Sequence, residues 1–296
     1  MTSIRSRAWR AAASVVGRRI EYRDPVVVRR KVERARVRPD PHGPPRRLDR
    51  TCAVRIDFRH GWPCYEVRPR SGPPAVNVVF LHGGAYIDQV SGMHWRLAET
   101  LVHTLRARVA VPVYPLVPEG TAARVVPEVA ALVRESVDRD AGSTVLMGDS
   151  AGGGLAVAVA QRLRDESGYR PARLVLISPW LDVTMDHPDI PAVEPLDPEL
   201  SRAGLRLAGR LWAGGLDPAD PLASPINGDL AGLPPATVFI GTRDILNPDA
   251  HRFRDRAEEA GVPVEFHEAA GQIHVYPLYP LPEGRRARAH IIARLE

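Results

Sequence analysis

The chain has 296 residues, 44% hydrophobic and 25% charged, with a formal net charge of +5. That length and apolar content suffice for one large core, and no run reaches the ~18 apolar residues of a membrane-spanning helix. Two cysteines, Cys52 and Cys64, are too few for a four-ligand zinc site and are expected as free thiols. Arginines spread along the whole chain, with Lys31 the only lysine, argue against a phosphate-tracking face and so against nucleic-acid binding.

Residues 1 to about 38 read as helical, with Trp9, Val15, Val16, Ile20 and Val26 to Val28 as apolar anchors. The apolar run from Ala11 to Val16 is short for a signal sequence, and Gly17-Arg18-Arg19 is a poor cleavage site, so a cytoplasmic location is expected. The segment Pro39 to Pro45 has a composition that blocks helix and sheet and reads as a linker. Cys52 to Phe58 and Tyr65 to Arg68 alternate like an antiparallel hairpin.

From Val76 the pattern changes. Apolar strands at Val76–Leu81, Val109–Val113, Thr144–Met147 and Leu174–Ile177 alternate with helical runs at Trp95–Leu105, Ala122–Val137 and 152–165. Such alternation predicts an α/β fold, a mostly parallel sheet with helices on both faces. Residues 183–225 are rich in Pro and Asp, with one helical run near Glu199 to Trp212, and read as an insertion. The sheet resumes at Thr237–Ile240, followed by helix 249–260 and strand Val264–Glu268.

Gly148-Asp149-Ser150-Ala151-Gly152 falls between a strand and a helix, where a Gly-x-Ser-x-Gly turn projects a serine hydroxyl and leaves the first helical amide free. The pentapeptide alone is weak evidence; partners in order give it weight. A serine needs a base, and the base needs an orienting acceptor. Asp244 follows strand 237–240, and His274 lies in the loop after strand 264–268. Both sit off the carboxyl ends of strands, where open parallel sheets place ligands. Asp249 is the reserve acid and His267 a weaker candidate base. His82-Gly83-Gly84-Ala85, after strand 76–81, can offer backbone N–H groups to an oxyanion. The catalytic candidates are thus Ser150, Asp244 and His274. The oxyanion candidates are the amides of Gly83, Gly84, Ala85 and Ala151. Tyr86, Trp95, Trp180, Trp212 and Tyr276 are expected to line an apolar pocket.

Four motifs now resemble the hormone-sensitive-lipase-like branch of the α/β hydrolases: His82 to Ala85, Tyr114-Pro115-Leu116-Val117-Pro118-Glu119, Gly148 to Gly153, and Ser178-Pro179-Trp180-Leu181-Asp182. The resemblance covers roughly residues 75–296. It implies an α/β-hydrolase fold of residues 46–182 and 226–296, capped by residues 1–45 and an insertion at 183–225. It further implies an esterase or lipase. The three candidate residues suit a serine carboxylesterase that works through an acyl-enzyme with no cofactor or metal, and the expected apolar pocket points to small to medium acyl esters. A lactonase or amidase on the same residues, or a silent ligand-binding homologue, stays open, as does a homodimer. Ala85 stands where the family has a third glycine, a change without consequence for its amide unless the position needs a positive φ.

Overall fold

Among the residues described by the computed structural model (2–6, 22, 24–140, 142 and 144–296), eight strands form one sheet. They are β1 Ala53–Arg59, β2 Trp62–Arg68, β3 Val76–Leu81, β4 Ala107–Pro112, β5 Thr144–Asp149, β6 Arg173–Ile177, β7 Ala236–Gly241 and β8 Val264–Ala269. Their spatial order is β1-β2-β4-β3-β5-β6-β7-β8. β1 and β2 are antiparallel, β2 meets β4 antiparallel, and every pair from β4 to β8 is parallel. The carboxyl ends of β3, β5, β7 and β8 therefore open on one edge.

The inner parallel strands β3, β5, β6 and β7 are largely apolar on both faces because helices cover both, whereas β8 at the sheet edge is half-buried and carries Glu265, His267 and Glu268. Leu81, Leu146, Leu174, Leu176 and Val238 face one core, with Val125, Val129 and Val133 of helix Ala122–Arg139 and Leu155, Val159 and Leu163 of helix Ala151–Ser167. Their alternates Phe80, Val145, Met147, Val175, Ile177 and Phe239 face a second core, with Leu97, Leu101 and Val102 of helix Gly92–Leu105. Each such side chain contributes roughly 1.5–3 kcal/mol on burial. Helix Pro282–Leu295 joins the second core through Ala287 and Ile291.

The segment between β6 and β7 carries helix Arg202–Ala213, on which helix Pro25–Val37 packs through Val28 and Val32. Ser201 Oγ donates to the Tyr22 carbonyl at 2.6 Å, and a Cβ on Gly204 would collide with that same carbonyl. Trp9, Val15, Val16 and Ile20, the other expected anchors of an N-terminal helix, lie outside the described residues. Cys64 pairs in register with Asp57, whereas Cys52 precedes β1 near His103; both are buried free thiols. No described helix is long and apolar enough to cross a membrane.

Candidate active site

The chain turns from β5 into helix Ala151–Ser167 at Ser150, whose φ of 51° and ψ of −121° lie in a region that a residue with a Cβ rarely enters. The surroundings hold this geometry. Ser150 N–H donates to the Ile177 carbonyl at 2.9 Å, and the Ser150 carbonyl accepts from the amides of Gly153, Gly154 and Trp180. Gly148 and Gly152 are required by close approach: a Cβ on the first would collide with the Gly152 carbonyl, and one on the second with the Leu81 carbonyl.

Ser150 Oγ lies 2.9 Å from His274 Nε2, and His274 Nδ1 lies 2.9 Å from Asp244 Oδ2. An ionised carboxylate only accepts, so Nδ1 carries the proton and Nε2 accepts from the serine hydroxyl. All three side chains are buried, Asp244 completely. Asp244 Oδ1 also accepts from the Leu246 amide at 3.0 Å, and Val275 N–H donates to Ser178 Oγ at 3.0 Å, fixing the His274 loop against the end of β6. Burial of the imidazole opposes its protonation. The charge and hydrogen bond of Asp244, with the charges of Asp197 and Glu199, outweigh it and hold His274 above its ordinary value.

Asp197 is a contribution that sequence reasoning missed. Its Oδ1 accepts from the amides of Glu199 and Leu200, and its Oδ2 from Ile245 N–H at 2.9 Å. The segment between β6 and β7 is thereby tied to the turn that carries Asp244. Burial and the nearby Asp244 push the Asp197 carboxyl up from the usual range. A single Asp-Pro step inside a Pro- and Asp-rich stretch gave no sequence signal for this.

The loop after β3 brings Gly84 and Ala85 beside Ser150 at one cavity. Neither amide, nor that of Ala151, has a hydrogen-bond partner among the described residues. Gly83 corrects expectation: its N–H donates to Asp149 Oδ1 at 3.0 Å and is taken out of the oxyanion set. Ala85 adopts φ 53°, so the family's glycine is replaced where a side chain costs about 1–2 kcal/mol. Hydrogen bonds from the Ile87 and Asp88 amides to the Gly84 carbonyl, and from Val117 N–H to the Tyr86 carbonyl, hold the loop in place.

The cavity at Ser150 has a volume of about 270 Å³, and its apolar wall comes from Met93, Leu200, Leu205, Leu278 and the ring of Tyr279. The five expected aromatic residues do not line it. Tyr86 stacks on Trp212 at 3.7 Å between centroids and on Trp180 at 5.8 Å, and its hydroxyl donates to the Ala151 carbonyl. Trp95 packs edge-on against Tyr65, and Tyr276 is buried in the second core. These rings are too completely enclosed to meet a ligand. Tyr86 instead clamps the loop after β3 to the start of the serine helix.

The reserve acid Asp249 stands apart from His274. It is 1% exposed, neither carboxylate oxygen has a hydrogen bond among the described residues, and only Arg252 approaches, at 3.9 Å. Burial and the neighbouring Asp182 raise its carboxyl from 3.8 to about 7. Because the folded value exceeds the unfolded one, this group costs stability as pH rises through about 4 to 7 and the cost is constant above. Asp249→Asn should remove that loss. Its stability relative to the parent should grow between pH 5 and pH 8 by about 2–3 kcal/mol, for the roughly two pKa units of linkage that fall in that window. Urea unfolding at the two pH values checks it, and a pH-independent difference contradicts it. His267, the weaker candidate base, stacks on Phe239 and hydrogen-bonds Glu265, away from Ser150.

Comparison with known proteins agrees with the geometry. A profile of the family described as alpha/beta hydrolase fold matches residues 78–278. The chain is 37% identical over 214 residues to an acetyl-hydrolase of Streptomyces hygroscopicus, covering 71% of this chain and 72% of that one. It is 39% identical over 204 residues to a triacylglycerol lipase of Mycobacterium tuberculosis, covering 68% of this chain but only 42% of that protein. Among solved structures, an esterase from the bacterial hormone-sensitive lipase family superposes with a TM-score of 0.77 at 28% identity, covering 90% of this chain and 96% of that one. The chain belongs to the α/β-hydrolase family, on its hormone-sensitive-lipase-like esterase branch.

Proposed function

We propose that this protein is a serine carboxylesterase that hydrolyses short acyl esters through an acyl-enzyme on Ser150. The observation that carries the reading is the continuous chain of contacts Ser150–His274–Asp244, at 2.9 Å for each step, opening on a cavity with unpaired amides. Neutral His274 takes the Ser150 proton as Oγ attacks the ester carbonyl. The amides of Gly84, Ala85 and Ala151 receive the oxyanion. His274 then protonates the departing alcohol, and water repeats the sequence on the acyl-enzyme. Helix Pro25–Val37 and residues 183–225 serve as the cap, since the wall residues Leu200 and Leu205 come from the insertion on which that helix packs.

At about 270 Å³ the cavity is just below the range of ~300–1,000 Å³ usual for small-molecule sites. Short acyl groups fit it. A series of p-nitrophenyl esters from acetate to palmitate should give the highest kcat/KM at four carbons or fewer, with a decline beyond. A maximum at the longest chains contradicts the substrate class. Mass-spectrometric detection of a fluorophosphonate adduct on Ser150 tests the acyl-enzyme step independently of substrate size.

A further inference from the structure

We infer that His94 and Asp149 act as a positioning pair that aims the oxyanion loop, a role that rests on the proposed Ser150 chemistry. Asp149 is the last residue of β5 and directly precedes Ser150, yet its side chain turns sideways to the loop after β3. It is 2% exposed and no Arg or Lys approaches it among the described residues. What holds it are two neutral donors. Gly83 N–H donates to Oδ1 at 3.0 Å, and His94 Nε2 lies 3.3 Å from Oδ2.

The direction of the second bond is set from farther back. His94 is in the first turn of helix Gly92–Leu105, and its Nδ1 accepts the Ser91 N–H at 2.8 Å as part of a capping box. With Nδ1 accepting, the neutral ring carries its proton on Nε2 and points it at Asp149. A path of three hydrogen bonds therefore runs from a helix N-terminus to the amide of Gly83. It fixes Gly83 with its N–H turned to Asp149, and the next two amides, Gly84 and Ala85, are the ones left unpaired at the cavity. Gly83 has to be glycine for the same reason: a Cβ there would collide with the Asp149 carboxylate. A buried carboxylate beside a developing oxyanion is electrostatically unfavourable, so its presence is best explained by the alignment it provides.

The pair can be tested by exchanging its donor and acceptor. D149N keeps the shape but sets an amide N–H against either His94 Nε2–H or Gly83 N–H, whichever way the amide turns. It should lower kcat on p-nitrophenyl butyrate about 10- to 100-fold, below the ~10²–10³ for outright loss of an oxyanion donor. KM should stay within about threefold. H94E alone sets two carboxylates face to face and should be similarly slow. In the double variant H94E/D149N the glutamate can accept from both the Ser91 amide and the new carboxamide, while the carboxamide oxygen accepts from Gly83. At least a tenfold recovery of kcat over either single variant is expected. Binding of a boronic acid, which places an oxygen in the hole, should fall and recover in parallel.

Unchanged kcat in D149N, or a double variant no faster than the singles, overturns the pairing. If D149N does not fold by circular dichroism, H94Q and H94F decide. Glutamine keeps one acceptor and one donor, phenylalanine neither, so equal rates for the two overturn it as well. A parent enzyme without esterase activity or fluorophosphonate labelling would sink the Ser150 reading, and the pair with it. Activity without rescue sinks the pair alone.

Discussion

Ser150→Ala should lower kcat about a million-fold on p-nitrophenyl butyrate, the scale on which loss of a serine nucleophile reduces turnover. The size of the effect follows from the route. On the proposed route no acyl-enzyme can form without Oγ, and what would be left is water attacking a carbonyl held by the Gly84, Ala85 and Ala151 amides. That residue of catalysis is worth roughly 10³–10⁴ over the uncatalysed reaction. The fold should hardly notice. The strained φ of 51° is kept by hydrogen bonds of the Ser150 backbone, and both serine and alanine carry a Cβ. Only the 2.9 Å contact to His274 is lost, a change of about 1 kcal/mol in stability. A variant with near-parental hydrolysis and an unshifted melting temperature would mean that another group attacks the ester.

Much of this site was legible because its logic is local. A strand, a glycine-bounded turn and a helix specify where Ser150 must project. An acid and a histidine after later strands must lie off the same sheet edge in any parallel sheet. What escaped was tertiary. Nothing in the order His82-Gly83-Gly84-Ala85 tells which amide Asp149 will occupy, since that depends on a side chain 66 residues away. Nor does aromatic character separate a pocket wall from a core. Tyr86, Trp180 and Trp212 satisfy one another by stacking, while the wall is built from Met93, Leu200, Leu205 and Leu278, which carry no distinguishing chemistry. The C-terminal helix Pro282–Leu295 leaves little sequence signal because, among its arginines, Ala287 and Ile291 are its main apolar anchors. The tie that Asp197 makes between the segment after β6 and the Asp244 turn depends on backbone amides that no pattern of residue types reveals.

Asp244→Asn should cost about 10⁴ in kcat while leaving the geometry nearly intact. The carboxamide can present an N–H to His274 Nδ1, which favours the opposite tautomer. Nε2 then carries a proton and faces Ser150 as a donor, so the base is absent although every ring atom is in place. The pH profile gives a second, independent readout. In the parent, burial lowers the His274 pKa but the charges of Asp244, Asp197 and Glu199 raise it further, so the net shift is upward. The base must be neutral to work, so kcat/KM rises with pH and its midpoint lies on the alkaline side of 6.5, the ordinary histidine value. Removing the Asp244 charge should move that midpoint to lower pH while depressing the plateau. Asp197 is the nearby acid that could be imagined to substitute. Its two oxygens are already engaged by the amides of Glu199, Leu200 and Ile245, and reaching the imidazole would break the tie between insertion and turn. A loss below tenfold in Asp244→Asn would show that the imidazole is oriented by something other than the carboxylate 2.9 Å from it.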